Sequence, residues 1–203
     1  MVAGIANGLR GRLRCKRPSP KLRRMHFKLE HTFDAPVDDV LTALADPAFV
    51  EFLRARMKLM KTIEAKERKE REGGVSWKLR CVPTPIIQSV GPKKVSPEAL
   101  AFVQEMDIDK KARRATFKNV AEHPKVLKHL ENGGTIEFKD VGGKTQRIMS
   151  GDLKVVGLPF LLRPLAGIAE SLIYSNAQKL LEEEASVFRE FLKQRGGAAA
   201  KTA

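Results

Sequence analysis

The residues that could do chemistry are few, and the most suggestive stretch fails on spacing. The run DVGGKT, residues 140–145, ends like a phosphate-binding loop, but that motif needs a glycine five positions before Gly143, where Phe138 stands. The run also lies between two predicted strands, whereas a phosphate-binding loop leads from a strand into a helix. We therefore predict a hairpin turn here.

The histidines do not predict a metal site. His26, His31, His123 and His129 are scattered, and no pair has the i, i+4 spacing with a carboxylate that is typical of a helical site. His31 alternates with apolar neighbours and could face the interior, either as a hydrogen-bonded core residue or as a ligand anchor or base. We predict neither a metal nor a cofactor.

The carboxylates and thiols offer no catalytic set either. Glu105 and Asp152 fall on the polar faces of their predicted strands, so we expect both to point to solvent. Cys15 and Cys81 belong to no CxxC or Cys/His pattern and are predicted to be reduced thiols, with Cys81 buried in a strand. Because no nucleophile, base and orienting group can be assembled, we assign no catalytic residue.

Asn176 is the polar residue that best fits a ligand anchor. It interrupts the apolar face of a predicted C-terminal helix, beside Ser175 and Tyr174. An amide left buried and unpaired costs about 1–3 kcal/mol, so it needs a partner. That partner could be a ligand, the sheet or water, and the three remain open.

Composition is that of a folded domain with a basic arm. The chain has 203 residues, 42% of them hydrophobic, and a formal net charge of +14. Residues 1–25 contain eight cations and no acid, and without these eight charges the net charge falls to +6. The basic character therefore belongs mostly to this arm, which contains Arg10, Arg12, Arg14, Lys16, Arg17, Lys21, Arg23 and Arg24.

Three interpretations of the arm stay open. Met25 directly before the first predicted strand favours an upstream stretch added by a mistaken start. Alternatively, each cation near an anionic bilayer contributes about 1 kcal/mol, so the arm could hold the protein at a membrane surface. Nucleic-acid binding ranks last, because the arm has no aromatic residue on which bases could stack. With no secretory pattern and no membrane span, we predict a cytoplasmic location, with peripheral membrane contact through the arm.

After the arm, the sequence predicts a strand and two short helices. The run MHFKLEHTF alternates apolar and polar residues and predicts a half-buried strand. Asp34 is expected to cap a helix that opens near Pro36, and Asp46 with Pro47 starts a second one.

Six more strands and one long helix follow. Glycine-rich or polar turns separate six stretches in which apolar and polar residues alternate, as in strands. These predicted strands lie near 57–70, 74–82, 99–108, 112–120, 134–140 and 144–156. Gly133-Gly134 is predicted as a turn or, alternatively, as a bulge inside a longer strand. From Pro164 to about Lys193 the period becomes 3.6, and Gly196-Gly197 is the predicted end. We therefore predict a basic arm (1–25), one domain (26–195) and a flexible tail (196–203).

This order resembles the START-like, or helix-grip, superfamily of polyketide cyclases and lipid-transport proteins. The opening FKLEHTFDAPVDDVLTALADPAFVEFL and the last strand running through LKVVGLPF carry the resemblance, which is greatest to a bacterial branch of unknown function. It implies an α+β fold in which a seven-stranded curved antiparallel sheet wraps around the long C-terminal helix. It also implies a cavity for lipids, sterols, polyketides or other apolar compounds, and no catalytic motif to carry over.

We therefore expect a carrier or sensor of a hydrophobic small molecule, with a cyclase or aromatase-type enzyme and an interaction domain with a filled core as alternatives. Ile86 and Ile87, in a Pro-rich excursion from Val82 to Pro97, are predicted as a lid. Gly151, Ala166, Gly167 and Ala169 are expected to leave the cavity its space. The predicted ligand-binding residues are Trp77, Leu79, Phe102, Met106, Phe117, Phe138, Met149, Leu153, Leu165, Ile168, Leu172 and Asn176.

Overall fold

A computed structural model describes residues 25–85, 89–90, 93–94, 96–124, 130–155 and 166–202. Residues 1–24 of the predicted basic arm and the lid residues Ile86 and Ile87 lie outside these ranges, whereas Met25, predicted as the last residue of the arm, begins the first strand. Among the described residues, no helix combines the length and apolar character that crossing a bilayer requires.

Seven antiparallel strands form one sheet, as predicted. The described residues contain nine strands, two of which lie outside this sheet. In chain order the nine strands are β1 (Met25–Phe33), β2 (Met60–Arg71), β3 (Gly74–Pro83), β4 (Ser89–Val90), β5 (Lys93–Lys94), β6 (Phe102–Asp109), β7 (Arg114–Ala121), β8 (Leu130–Val141) and β9 (Lys144–Val155). Across the large sheet their order is β1-β9-β8-β7-β6-β3-β2. The predicted half-buried strand is β1, which buries Phe27, Leu29, His31 and Phe33 on one face.

The Pro-rich excursion contains more structure than predicted. β4 and β5 pair with each other as a separate two-stranded sheet, with Ser89 opposite Lys94 and Val90 opposite Lys93. Pro97–Leu100 then forms a short 3-10 helix before β6. The expectation that this segment forms no regular element was therefore wrong at these positions. None of the four paired residues is a proline, so each can donate its backbone N–H.

Gly133 and Gly134 lie inside β8 and form no turn, so the longer strand of the alternative is correct. The predicted bulge is wrong, because both glycines pair one to one with β7 and β9. A Cβ on Gly134 would lie 2.1 Å from the carbonyl oxygen of Ser150 and 2.6 Å from Cα of Gly151. The backbones of β8 and β9 therefore approach so closely here that a side chain at this position would not fit.

Besides the 3-10 helix, the described residues form three α-helices: α1 (Val37–Leu44), α2 (Pro47–Arg56) and α3 (Ala166–Thr202). Asp46 caps α2, its Oδ1 accepting a hydrogen bond from the backbone N–H of Ala48 at 2.9 Å. The predicted cap by Asp34 is wrong, because the residue at the N-cap position of α1 is Pro36. Asp34 instead forms an ion pair with Lys144, with Oδ1 2.7 Å from Nζ.

The long helix α3 continues beyond its predicted end. It runs on through Gly196-Gly197 to Thr202, so the expected end at these glycines was wrong. A glycine in a helix costs only about 1 kcal/mol relative to alanine, and the alanines of residues 198–200 are the best helix formers.

A cluster of aromatic side chains lies where the C-terminal part of α3 meets β1 and α2. Phe33 and Phe188 are fully buried and meet edge to face, with ring centroids 5.0 Å apart. Phe49 of α2 lies 4.7 Å from Phe188, and Phe191 lies 5.3 Å from Phe49. This aromatic cluster fixes α3 against the sheet at one end.

Candidate ligand-binding cavity

At the other end of the described helix, a cavity of about 390 Å³ separates α3 from the sheet. Its walls are the inner faces of β1, β3 and β6 to β9, the α3 residues from Tyr174 to Glu184, and the stretch from α2 into β2. Small-molecule sites in proteins usually measure about 300–1,000 Å³ and are mostly apolar, so this space suits one compact ligand.

Most of the predicted ligand-binding residues line this cavity. Nine of the twelve do so: Trp77, Leu79, Phe102, Met106, Phe117, Phe138, Met149, Leu153 and Asn176. Leu165 lies outside the described residues, and Ile168 and Leu172 belong to α3 but their side chains are not described. The same is true of Ala166, Gly167 and Ala169, which were expected to leave room.

Gly151 does not leave room as expected. A Cβ there would lie 2.8 Å from Cζ of Phe27 and 2.6 Å from the carbonyl oxygen of Gly133. The ring of Phe27 therefore occupies the place of the missing side chain. Gly151 allows close packing of β1 and β8 on β9, and the cavity owes its volume to other residues.

Sequence reasoning missed the wall formed by α2 and the chain after it. Phe49, Val50 and Leu53 of α2 border the cavity, followed by Met57 and Met60. The apolar period of α2 already indicated a buried face. It could not show that this face meets the cavity, because that depends on how α2 lies across the end of the sheet.

Three amide side chains form a polar row within the apolar wall. Gln104 of β6 is directly opposite Asn119 of β7, and Asn119 is directly opposite Asn132 of β8. All three line the cavity, and the row ends on either side at Leu79 and Leu153. The Oδ1 atoms of Asn119 and Asn132 are shielded from solvent and accept no hydrogen bond. Sequence reasoning placed Gln104 on this face but did not single out the row.

A buried ion pair marks the boundary between the cavity and the aromatic cluster. Arg147 of β9, 2% exposed, donates to Glu184 of α3 through Nη1 at 3.0 Å and Nη2 at 2.6 Å. Nη2 also donates to Nδ1 of His31 at 3.2 Å. Because a guanidinium matches a carboxylate with two parallel hydrogen bonds, this pair fixes the helix to the sheet in one register.

His31 is a core histidine held by this pair, and it does not border the cavity. Burial, and secondarily the neighbouring Arg147 charge, lower the pKa of His31 below 6.5, against the opposite effects of Glu182 and Glu184. Its Nδ1 accepts from Arg147, so the neutral ring carries its proton on Nε2, 3.3 Å from Glu182 Oε1 but without a hydrogen bond between them.

The other titratable candidates show no catalytic arrangement. Cys81 lines the cavity, and burial raises the pKa of its thiol to about 12, so it stays protonated and unreactive at neutral pH. Glu105 pairs with Lys78 on the outer face of the sheet at 3.4 Å, and the half-exposed Asp152 lies near His26. Neither carboxylate reaches the cavity.

Comparison with known proteins gives a family and a fold. The model of DUF2505, described as a protein of unknown function, matches residues 28–192. No curated protein sequence matches the chain.

Several solved structures share its architecture at low identity. The Zhui aromatase/cyclase of Streptomyces sp. R1128 is 16% identical, with a TM-score of 0.59 over 87% of this chain and 98% of that one. Protein TTHA0849 of Thermus thermophilus is 18% identical, with a TM-score of 0.57 over 81% and 97%. Norcoclaurine synthase of Thalictrum flavum is 15% identical, with a TM-score of 0.56 over 95% and 98%. At these identities the likeness shows the helix-grip fold and nothing about activity.

Proposed function

This chain belongs to the DUF2505 family, a family of unknown function, and we propose that it binds one small, mostly apolar molecule in its cavity as a carrier or a sensor. The observation that carries the proposal is the cavity of about 390 Å³ with a largely apolar wall. Empty apolar space of this size is costly, because each wall atom forgoes the contacts a neighbour would provide. A bound apolar molecule would restore those contacts.

The cavity volume argues against an interaction domain with a filled core. The bulky wall residues Trp77, Phe102 and Phe117 leave the space open although each is large enough to close part of it. A domain selected only for stability would gain from filling it, since core volume left unfilled lowers the free energy of unfolding.

The choice between carrier and enzyme depends on ionisable groups in the wall. Among the described wall residues these groups are Cys81, Arg147, Tyr174 and Glu184. Arg147 and Glu184 neutralise each other, and Cys81 stays protonated. This supports binding without catalysis. A cyclase or aromatase-type reaction, suggested by the name of the Zhui structure, is the alternative.

The finer assignments stay predictions. These are the bacterial branch, the transport of lipids, the contact of the arm with an anionic membrane, and the lid at Ile86 and Ile87. The described residues that flank the lid segment, Pro83, Thr84 and Leu100, all border the cavity.

Native mass spectrometry of gently purified protein tests the proposed function. We expect a fraction of the chains to carry one extra mass, and extraction should release an apolar compound in a ratio of one per chain. Ligand-stripped protein should then bind Nile red, a neutral apolar dye, saturably. Absence of saturable binding across several apolar chemotypes would contradict the proposal and favour the filled-core alternative.

A further inference from the structure

The amide row of Gln104, Asn119 and Asn132 is an unusual feature of this cavity wall. Asparagine is among the residues depleted in strands, because its side chain competes for backbone hydrogen bonds and packs poorly on a pleated face. Here two asparagines and a glutamine occupy adjacent positions on β6, β7 and β8, all on the inner face. Their neighbours along the same face of β7 are Phe117 and Ala121, both buried.

The row presents hydrogen-bond acceptors that have no donor. The Oδ1 atoms of Asn119 and Asn132 are both buried and both unpaired. Directly opposed side chains on antiparallel strands have Cβ atoms about 4.5–5.5 Å apart, so one ligand group can reach both oxygens. Groups that give a hydrogen bond to a carbonyl oxygen are hydroxyl and N–H groups.

We propose that the amide row accepts a hydrogen bond from a hydroxyl or N–H group of the ligand, and that the ligand is a neutral, apolar donor such as an alcohol or a phenol and not a fatty acid or another carboxylate. This inference rests on the proposed function and names the chemical class of its ligand. The donated hydrogen would meet Oδ1 of Asn119 or Asn132, and the apolar body would lie against Trp77, Phe117 and Met149.

The charges of the wall support a neutral ligand. A carboxylate buried in this space would need a cation beside it. Among the described wall residues the cation is Arg147, and both oxygens of Glu184 already bind it. The backbone of Arg147 is also six residues, or about 20 Å along β9, from Leu153, which is opposite Asn132 of the row. A carboxylate at the amide row would therefore meet two unpaired carbonyl oxygens and no compensating charge, and the amide N–H groups of the row, being neutral, do not supply that charge.

A purely structural role for the amides predicts a different outcome. If Asn119 and Asn132 stabilised the sheet, their replacement by leucine would lower stability. If they are retained for a ligand, leucine removes two unpaired buried acceptors and adds apolar contacts, so the ligand-free protein should become equally or more stable. Stability and ligand preference then change in opposite directions.

Competition against Nile red tests the ligand class. The competitors are naphthol, its methyl ether, which cannot donate a hydrogen bond, and the corresponding naphthoate. We expect naphthol to bind at least about 10-fold more tightly than the methyl ether, and naphthoate to bind more weakly than either. Equal affinity of naphthol and its methyl ether, or tightest binding of naphthoate, would overturn the inference.

The double variant Asn119→Leu/Asn132→Leu tests whether the preference for naphthol arises at the amide row. It should still bind the methyl ether but lose the preference for naphthol, with an unchanged or higher midpoint of urea unfolding. Ile136→Leu, an isomeric change in the same wall, is the control and should keep the preference. A naphthol preference that survives in the double variant would place the hydroxyl site elsewhere.

Failure of the proposed function would look different. Wild-type protein that binds neither Nile red nor the other apolar chemotypes saturably would overturn the cavity as a ligand site, and with it this inference. Saturable binding without hydroxyl preference would overturn the inference alone.

Discussion

The long helix α3 meets the rest of the molecule differently on the two sides of Glu184. On the C-terminal side, Ala185, Val187, Phe188 and Phe191 are buried against phenylalanines of β1 and α2. On the N-terminal side, from Tyr174 to Leu181, the helix faces open space, and small or polar residues such as Asn176 and Ala177 point toward it. One sheet and one helix thus provide both a packed core and a cavity, and the two phenylalanines of α3, Phe188 and Phe191, both lie on the packed side of Glu184.

Polar contacts fix α3 both at the boundary, through Glu183 and Glu184, and at the packed end, through Arg195. Glu183 accepts hydrogen bonds from the backbone N–H groups of Lys58 at 2.8 Å and Leu59 at 2.9 Å, and Arg195 pairs with Asp46. Glu184 holds Arg147 one residue further along. We infer that this end carries most of the stability, and that the cavity end is free to specialise for binding. The following predictions test that difference.

The largest effect is expected from Phe188→Ala at the packed end. Phe188 is fully buried between Phe33 and Phe49, so its truncation should lower the free energy of unfolding by about 3–5 kcal/mol. Leu181→Ala, at the cavity end of the same helix, is the matched variant and should cost less than about 2 kcal/mol, because Leu181 already borders open space. Urea unfolding measures both, and equal losses would break the comparison between the two ends.

A somewhat smaller effect is expected at the boundary. Arg147→Met leaves the carboxylate of Glu184 buried beside an apolar side chain, which should cost about 3 kcal/mol. The double variant Arg147→Met/Glu184→Met should recover much of this loss, since no charge then lacks its partner. If the single variant proved as stable as the wild type in urea, the pair would not fix the helix as we infer.

The smallest effect is a dependence on pH. His31 has a folded-state pKa below 6.5, so between that value and about 6.5 the unfolded chain binds more protons than the folded one. The contribution of neutral His31 to stability is therefore present at pH 7 and is lost as the pH falls through the folded-state pKa. Arg147, Glu182 and Glu184 are the charged groups that face the ring.

His31→Gln should remove that contribution, since glutamine can still accept from Arg147 but does not titrate. We expect the melting temperature of the wild type to fall more steeply than that of the variant between about pH 7 and about pH 5. Parallel curves for the two proteins would show that His31 does not titrate on unfolding in this range.

The sheet could be predicted from the sequence because the alternation of apolar and polar residues that indicates a strand is visible within each short stretch of the chain. Alternation in phase with Phe27, Trp77 and Met149 identified the inner face of each strand. The turn at Gly133-Gly134 and the end of α3 at Gly196 were misplaced for a common reason. Glycine permits a turn or a helix end but does not require one, and here the close approach of β8 to β9 decided the first case.

The polar part of the site was harder to predict. Arg147 shares the phase of Met149 and Leu153, and Glu184 occupies the position between Leu181 and Phe188 where the apolar stripe of α3 lacks a member. Both signals were present in the sequence. What was missing was the knowledge that these positions face each other, since it depends on how α3 crosses the sheet.

The central claim is that the space beside Tyr174–Glu184 is a ligand cavity, and filling it tests this most directly. Ala177 borders the cavity, whereas Ser175, two residues before it, is exposed. Binding of Nile red should be at least about 10-fold weaker in Ala177→Phe, whose ring would occupy the cavity, and unchanged in Ser175→Phe, with both variants as stable as the wild type. Equal binding by Ala177→Phe and the wild type would contradict the account.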